Sequence, residues 1–140
     1  ETLVTLQEWL VELAERLCGT LRERSEQVAS LKTMKIVDQV RQMVASGYGD
    51  PAFSLERIAA NLNLSAGYLA KLFKQVAGGS FAEYLNRFRL EQARELLRDS
   101  KEPLYVIGER VGLMNKTYFS TLFKKTYGIT PSQYRDEAHD

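Results

Sequence analysis

Apolar residues along the 140-residue chain recur mostly three and four positions apart, the period of an α-helix, with little of the alternation that marks strands. Leu3, Leu6, Leu10, Leu13 and Leu17 fall on one stripe at the spacing of a coiled-coil seam, which Gly19 and the charged run Arg22-Glu23-Arg24 weaken. A second helix is expected from Thr33 to Ala45, turning Ile36, Val37, Val40 and Val44 inward. Gly47-Tyr48-Gly49-Asp50-Pro51 then stops it, since two glycines and a proline do not continue a helix cheaply. Ser54 and Ser65 are placed to cap short helices, the first ending near Leu62. Ser80 and Glu83 have the spacing of a capping box, opening a helix to about Arg98. Pro103 suits the first turn of a further helix, which Gly112 closes. Thr130-Pro131-Ser132-Gln133 supplies a cap, a proline at the first helical position and a glutamine three residues on. About seven helices and no sheet follow, so the class is all-α.

The second half of the chain repeats the first. Tyr68, Leu69, Leu72, Phe73, Lys74 and Gly78 recur 50 residues later as Tyr118, Phe119, Leu122, Phe123, Lys124 and Gly128, and Ser80 and Tyr84 as Thr130 and Tyr134. Ahead of the tyrosines the offset is 49: Ile58, Ala59, Leu62 and Leu64 match Ile107, Gly108, Val111 and Leu113. One extra residue has entered the second turn. In each copy a small residue (Ala59, Gly108) precedes by four a residue that tolerates left-handed backbone (Asn63, Gly112). That is the requirement of two helices crossing closely at a sharp corner, a helix-turn-helix. One such corner is a weak signal; two, joined by a helix, are a strong one. The joining helix, Ser80 to Arg98, would be about 28 Å long, close to the ~34 Å between successive major-groove faces on one side of DNA.

Composition narrows the chemistry. With 44% apolar residues a buried core is feasible, and no apolar run is long enough to span a membrane. A soluble, cytoplasmic protein is therefore expected. Its one cysteine, Cys18, is expected on the apolar face of a helix; its one histidine, His139, falls in a short tail, residues 137–140. Metal sites and nucleophilic catalysis need clustered ligands or a positioned base, so no cofactor, no metal and no enzyme activity are expected. The net charge of +1 conceals a segregation: residues 1–30 carry three Arg and six Glu, whereas residues 31–135 carry sixteen Lys or Arg against nine acids. A basic body is compatible with double-stranded DNA as partner. A helical protein-interaction module is the rival reading.

The motifs also resemble a known family. Ile58-Ala59, Leu64-Ser65, Tyr68-Leu69 and Leu72-Phe73-Lys74 look like the first half of the AraC/XylS-type DNA-binding domain. Ile107-Gly108, Val111-Gly112-Leu113, Tyr118-Phe119, Phe123-Lys124-Lys125, Gly128-Ile129-Thr130-Pro131 and Tyr134-Arg135 resemble its second half. The resemblance covers about residues 33–136. It implies two helix-turn-helix subdomains (residues 32–136) acting in transcription control, more often by activation through RNA polymerase.

In such units the second helix lies in the major groove with its N-terminal half against base edges. Leu69, Leu72, Phe73 and Val76 should pack inward in the first unit, and Phe119, Leu122 and Phe123 in the second. Base reading is then expected from Ser65, Ala66, Gly67 and Lys71, and from Asn115, Lys116, Thr117, Ser120 and Thr121. The first set is small beside the polar residues usual in the family, so the second unit is expected to discriminate more. Lys74, Lys124 and Lys125 are expected at phosphates. Arg87, Arg89, Arg94 and Arg98 fall on the joining helix, where Arg94 and Arg98 should pair with Glu91 and Glu95. Tyr68, Tyr84, Tyr118, Phe123 and Tyr134 lie on apolar stripes and are expected in the core.

Residues 1–31 read as a linker helix from an upstream sensing or receiver domain, since the chain opens on Glu1 rather than methionine. Their leucine stripe could pair two copies of the chain or dock on residues 33–46. The acidic, leucine-rich stretch is similar to the one preceding AraC-type effector domains of two-component response regulators.

Overall fold

The computed structural model describes residues 2–140, with side chains from Thr5 onward. The side chain of Leu3, first of the leucine stripe, lies outside the described residues. Seven helices make up the described chain, with no strand among those residues: α1 (Thr2–Gly47), α2 (Leu55–Asn61), α3 (Ala66–Ala77), α4 (Phe81–Asp99), α5 (Leu104–Arg110), α6 (Lys116–Tyr127) and α7 (Pro131–Ala138). The chain divides into two compact units, one running to Ile36 and the other from Val37.

The two helices expected at 2–17 and 33–45 are one unbroken helix, α1. Gly19 costs a helix only about 1 kcal/mol relative to alanine. The leucines, alanines, glutamates and arginines around it are good helix formers, so the glycine and the charged run interrupt the stripe without ending the helix. Leu6, Leu10, Leu13 and Leu17 are exposed, as are Trp9, Leu21 and Leu31. Cys18 is exposed too, against the expectation of an apolar face.

The second unit begins with the end of α1, whose Val37, Val40 and Val44 are fully buried. Phe73 meets Phe81 and Tyr84 edge-on at 5.7 and 5.3 Å, tying α3 to α4. A second cluster gathers Leu90, Ala93 and Leu97 of α4 with Ile107, Val111, Leu113, Phe119 and Phe123. Helix α4 thus contributes to the packing of both helix-turn-helix units, contacting α3 before it and α5 and α7 after it. Burying each such aromatic or aliphatic side chain stabilises by roughly 1.5–3 kcal/mol.

The caps follow the sequence, except that the box expected of Ser80 and Glu83 is half made among the described hydrogen bonds, through the Ser80 hydroxyl alone. Ser54, Ser65 and Ser80 each accept a hydrogen bond from the backbone N–H three residues on. Thr130 and Gln133 close a complete capping box, with Pro131 in the first turn of α7. Pro103 sits one position earlier than expected, as the residue preceding α5. Helix α7 runs through the first two residues of the expected tail, and His139 Nε2 lies 2.9 Å from the Arg98 carbonyl.

Candidate nucleic-acid interface

The repeat seen in side-chain types is also a repeat of hydrogen bonds. In the first corner Leu62, Asn63 and Leu64 donate to the carbonyls of Ile58, Ala60 and Ala59; in the second, Val111, Gly112 and Leu113 donate to Ile107, Glu109 and Gly108. The corner residues take the left-handed backbone expected of them, Asn63 at φ 57° and Gly112 at φ 85°. At Gly108 a Cβ would stand 2.8 Å from the Leu113 carbonyl, which explains the small residue there. The inserted residue is Met114, which is 59% exposed just ahead of α6.

These corners present α3 and α6 in matching ways. Each helix is capped by its preceding residue: the Ser65 hydroxyl accepts from Tyr68 N–H at 3.2 Å, and Asn115 Oδ1 accepts from Tyr118 N–H at 2.9 Å. Each ends on a left-handed glycine, Gly78 and Gly128, whose N–H returns to the carbonyl of Lys74 and Lys124. Leu69, Leu72 and Phe73 point into one core and Phe119 and Phe123 into the other, while Val76 and Leu122 are half-buried. Gly67, Lys71 and Lys74 are exposed on α3, and Lys116, Thr117, Thr121, Lys124 and Lys125 on α6. Ala66 and Ser120 are half-buried.

Three features bear on what these residues can do. Ser65 and Asn115 are committed as caps through one oxygen each, leaving the Asn115 amide N–H groups free to donate. Lys74 and Lys124 stand in the last turns of their helices, where the dipole favours cations irrespective of any ligand. Gly67 has open space where a Cβ would go, so packing does not require glycine there.

Several residues were placed otherwise by sequence. Tyr68 and Tyr118 are half exposed rather than in the core, because at the third position of each helix they stand at the edge of the apolar stripe. Phe123 is buried as expected, and Tyr84 and Tyr134 are half-buried with their rings against Phe73 and Phe123. Arg94 stacks 4.8 Å over the Tyr127 ring, and Arg98 pairs with Asp99, rather than with Glu91 and Glu95. Helix α6 and the helix end offered these arginines closer partners than their own helical neighbours.

Arg89 is the residue that sequence reasoning did not distinguish. It is 7% exposed, and its Nε and Nη2 donate to the carbonyls of Tyr48 and Asp50 at 2.9 and 3.0 Å. Burial pulls its pKa down, opposed chiefly by the Asp50 carboxylate. A Cβ on Gly112 would lie 2.7 Å from the Tyr48 carbonyl and 3.0 Å from Arg89 Nε. The joining helix, the loop after α1 and the corner of the second unit therefore meet on this guanidinium. Asp50 reinforces the loop: it accepts from Ala52 N–H and from Arg57 at 2.9 Å, and these bonds hold its carboxyl below the usual range.

Comparison with known proteins agrees with this geometry. The family described as "Helix-turn-helix domain" matches residues 58–137. YesN, an uncharacterized transcriptional regulatory protein of Bacillus subtilis (strain 168), is 34% identical over 117 residues, or 81% of this chain. The chain spans 32% of that protein's length. The C-terminal domain of AraT, a response regulator from Geobacillus stearothermophilus, is 41% identical with a TM-score of 0.71, covering 73% of this chain and 84% of that one. The DNA-binding domain of AdpA, solved in complex with a target DNA, shares the fold at 22% identity, with a TM-score of 0.67 over 73% of this chain and 90% of that one. With its two corners, matching caps and joining helix, the chain belongs to the AraC-type helix-turn-helix family of transcription regulators.

Proposed function

We propose that this chain binds double-stranded DNA sequence-specifically, seating α3 and α6 in successive major-groove segments, and activates transcription through contact with RNA polymerase. The observation that carries the reading is the duplicated presentation of two capped helices on one joining helix, α4. Its 19 residues span about 28 Å, against ~34 Å between groove faces. Ser65, Ala66, Gly67 and Lys71 line the first grip and Asn115, Lys116, Thr117, Ser120 and Thr121 the second, with Lys74, Lys124 and Lys125 on phosphates. The second grip holds more donors and acceptors, so base discrimination rests mainly there. Enzymatic activity forms no part of this role.

Residues 1–31 serve as the linker from an upstream receiver domain of a two-component system and pair two copies of the chain. What supports the pairing is the exposure of Leu6, Leu10, Leu13 and Leu17 at coiled-coil spacing. A lone helix in water gains little from propensity and is stabilised mostly by packing of its apolar face. No helix among the described residues is long and apolar enough to cross a membrane, in keeping with action in the cytoplasm.

Selection of bound duplexes from a random pool, followed by gel shifts at low and moderate salt, tests the central claim. Salt-sensitive binding that prefers the selected sequence is the expected result. Absence of salt-sensitive binding would favour a protein-interaction module instead.

A further inference from the structure

We propose that Tyr68 and Tyr118 are paired anchors for the DNA backbone, each donating its phenol O–H to a phosphate oxygen. The inference rests on the DNA-binding reading above and extends it to two residues whose sequence context suggested core. Both are the third residue of their helix, 50 positions apart, and both are half exposed, at 50% and 49%. Their backbone N–H groups are already satisfied by Ser65 and Asn115, so each side chain leaves a pinned first turn. The residue after each tyrosine, Leu69 or Phe119, fills the core, so the phenol is not what holds the helix down.

The chemistry at Tyr118 selects the ligand. Asn86, on the joining helix, donates from Nδ2 to the Tyr118 oxygen at 3.4 Å. A phenol that accepts from an amide on one side keeps its own hydrogen for an acceptor elsewhere. Hydroxyl side chains beside a recognition helix meet such acceptors as phosphate oxygens, which fix register without reading sequence. A stacked role is disfavoured in an intact duplex, because stacking on side chains requires bases that are already splayed out. Tyr68 has no Asn86-like donor among the described hydrogen bonds, so its hydroxyl is less directed and its contribution smaller.

A neutral donor and a lysine leave different signatures. Phosphate neutralisation by lysine releases counterions and sets the salt slope of binding; a tyrosine hydroxyl does not. The test measures affinity of the full chain for a duplex recovered by selection and for a scrambled duplex, across a salt series. Tyr118→Phe should weaken both by about tenfold, the size of a hydrogen bond to a charged group, with the slope unchanged. Tyr68→Phe should weaken both by less, and Asn86→Ala should fall between wild type and Tyr118→Phe. Lys124→Ala, at a lysine assigned to phosphate, serves as contrast and should lower the salt slope by about one charge. Thermal melts should leave Tyr118→Phe within error of wild type.

Unchanged affinity in both tyrosine variants would overturn the proposal, as would a loss confined to the selected duplex or one that tracks a lowered melting temperature. Those outcomes leave the DNA-binding reading intact. Wild-type chain that binds neither duplex would remove both.

Discussion

Gly112 and Gly128 offer a controlled comparison, because both hold left-handed backbone, at φ 85° and 82°, in very different surroundings. Around Gly128 nothing lies within 4 Å of where a Cβ would stand; at Gly112 the Tyr48 carbonyl is 2.7 Å away and Arg89 Nε 3.0 Å. Alanine at either site incurs the left-handed penalty of about 1–2 kcal/mol, offset in part by about 0.4–1 kcal/mol from a stiffer unfolded chain. Gly128→Ala should therefore destabilise by about 1 kcal/mol. Gly112→Ala must also displace the guanidinium, loosening its bonds to Tyr48 and Asp50. A buried acceptor left unpaired costs about 1–3 kcal/mol, so a total of about 2–4 kcal/mol is expected. Urea unfolding of the two variants gives the difference from their midpoints, provided the slopes match. Adding Arg89→Met should cost less in the Gly112→Ala background than alone, since the contact is already weakened there. Equal destabilisation at the two glycines, to within about 0.5 kcal/mol, would refute the claim that this corner is packed against Arg89.

Other outcomes follow from the same geometry. Gly67→Ala should raise the melting temperature, since a helical glycine in open space costs about 0.5–1 kcal/mol, while weakening DNA binding if close backbone approach is used there; gel shifts beside thermal melts separate the two. Lys116→Ala should relax preference at particular operator positions by about 1–3 kcal/mol, more than Lys71→Ala does, when single-base variants of a selected duplex are compared. Asp50 has a depressed pKa, so its stabilisation is complete above the ordinary value of 3.8 and is lost as pH falls below it. The stability gap between wild type and Asp50→Asn, measured by urea unfolding, should accordingly close on acidification below pH 3.8. Removing residues 1–30 should convert a dimer to a monomer in sedimentation; an unchanged mass would dismiss pairing through the leucine stripe.

The corners and caps were legible in sequence because local rules govern them. Asn63 and Gly112 announce left-handed turns, and Ser54, Ser65, Ser80 and Thr130 announce helix starts, whatever the rest of the chain does. What escaped was set by contacts that leave no local mark. Arg89 looks like Arg87 or Arg94 in sequence, and its partners are main-chain carbonyls that any residue could supply. Arg94 met the Tyr127 ring, a neighbour from another helix, in place of the glutamate one turn away. Tyr68 and Tyr118 sat at the boundary of an apolar stripe, where spacing alone does not decide between core and solvent. Gly19 weakens the leucine stripe without ending the helix, since a single glycine is tolerated within a long run of strong helix formers.

The Arg89 junction also bears on how the domain responds to its ionic surroundings. Its cation is matched by neutral carbonyl dipoles inside the protein, with the nearest carboxylate acting from the loop and not as a bonded mate. Mobile ions screen charges that face water and reach buried groups far less, and a guanidinium keeps its proton throughout the range in which proteins fold. The brace that seats the second corner on the joining helix is thus indifferent to conditions that strongly modulate lysine contacts with a polyanion. Raising salt should loosen the hold on DNA while leaving the second corner seated on the joining helix as it was.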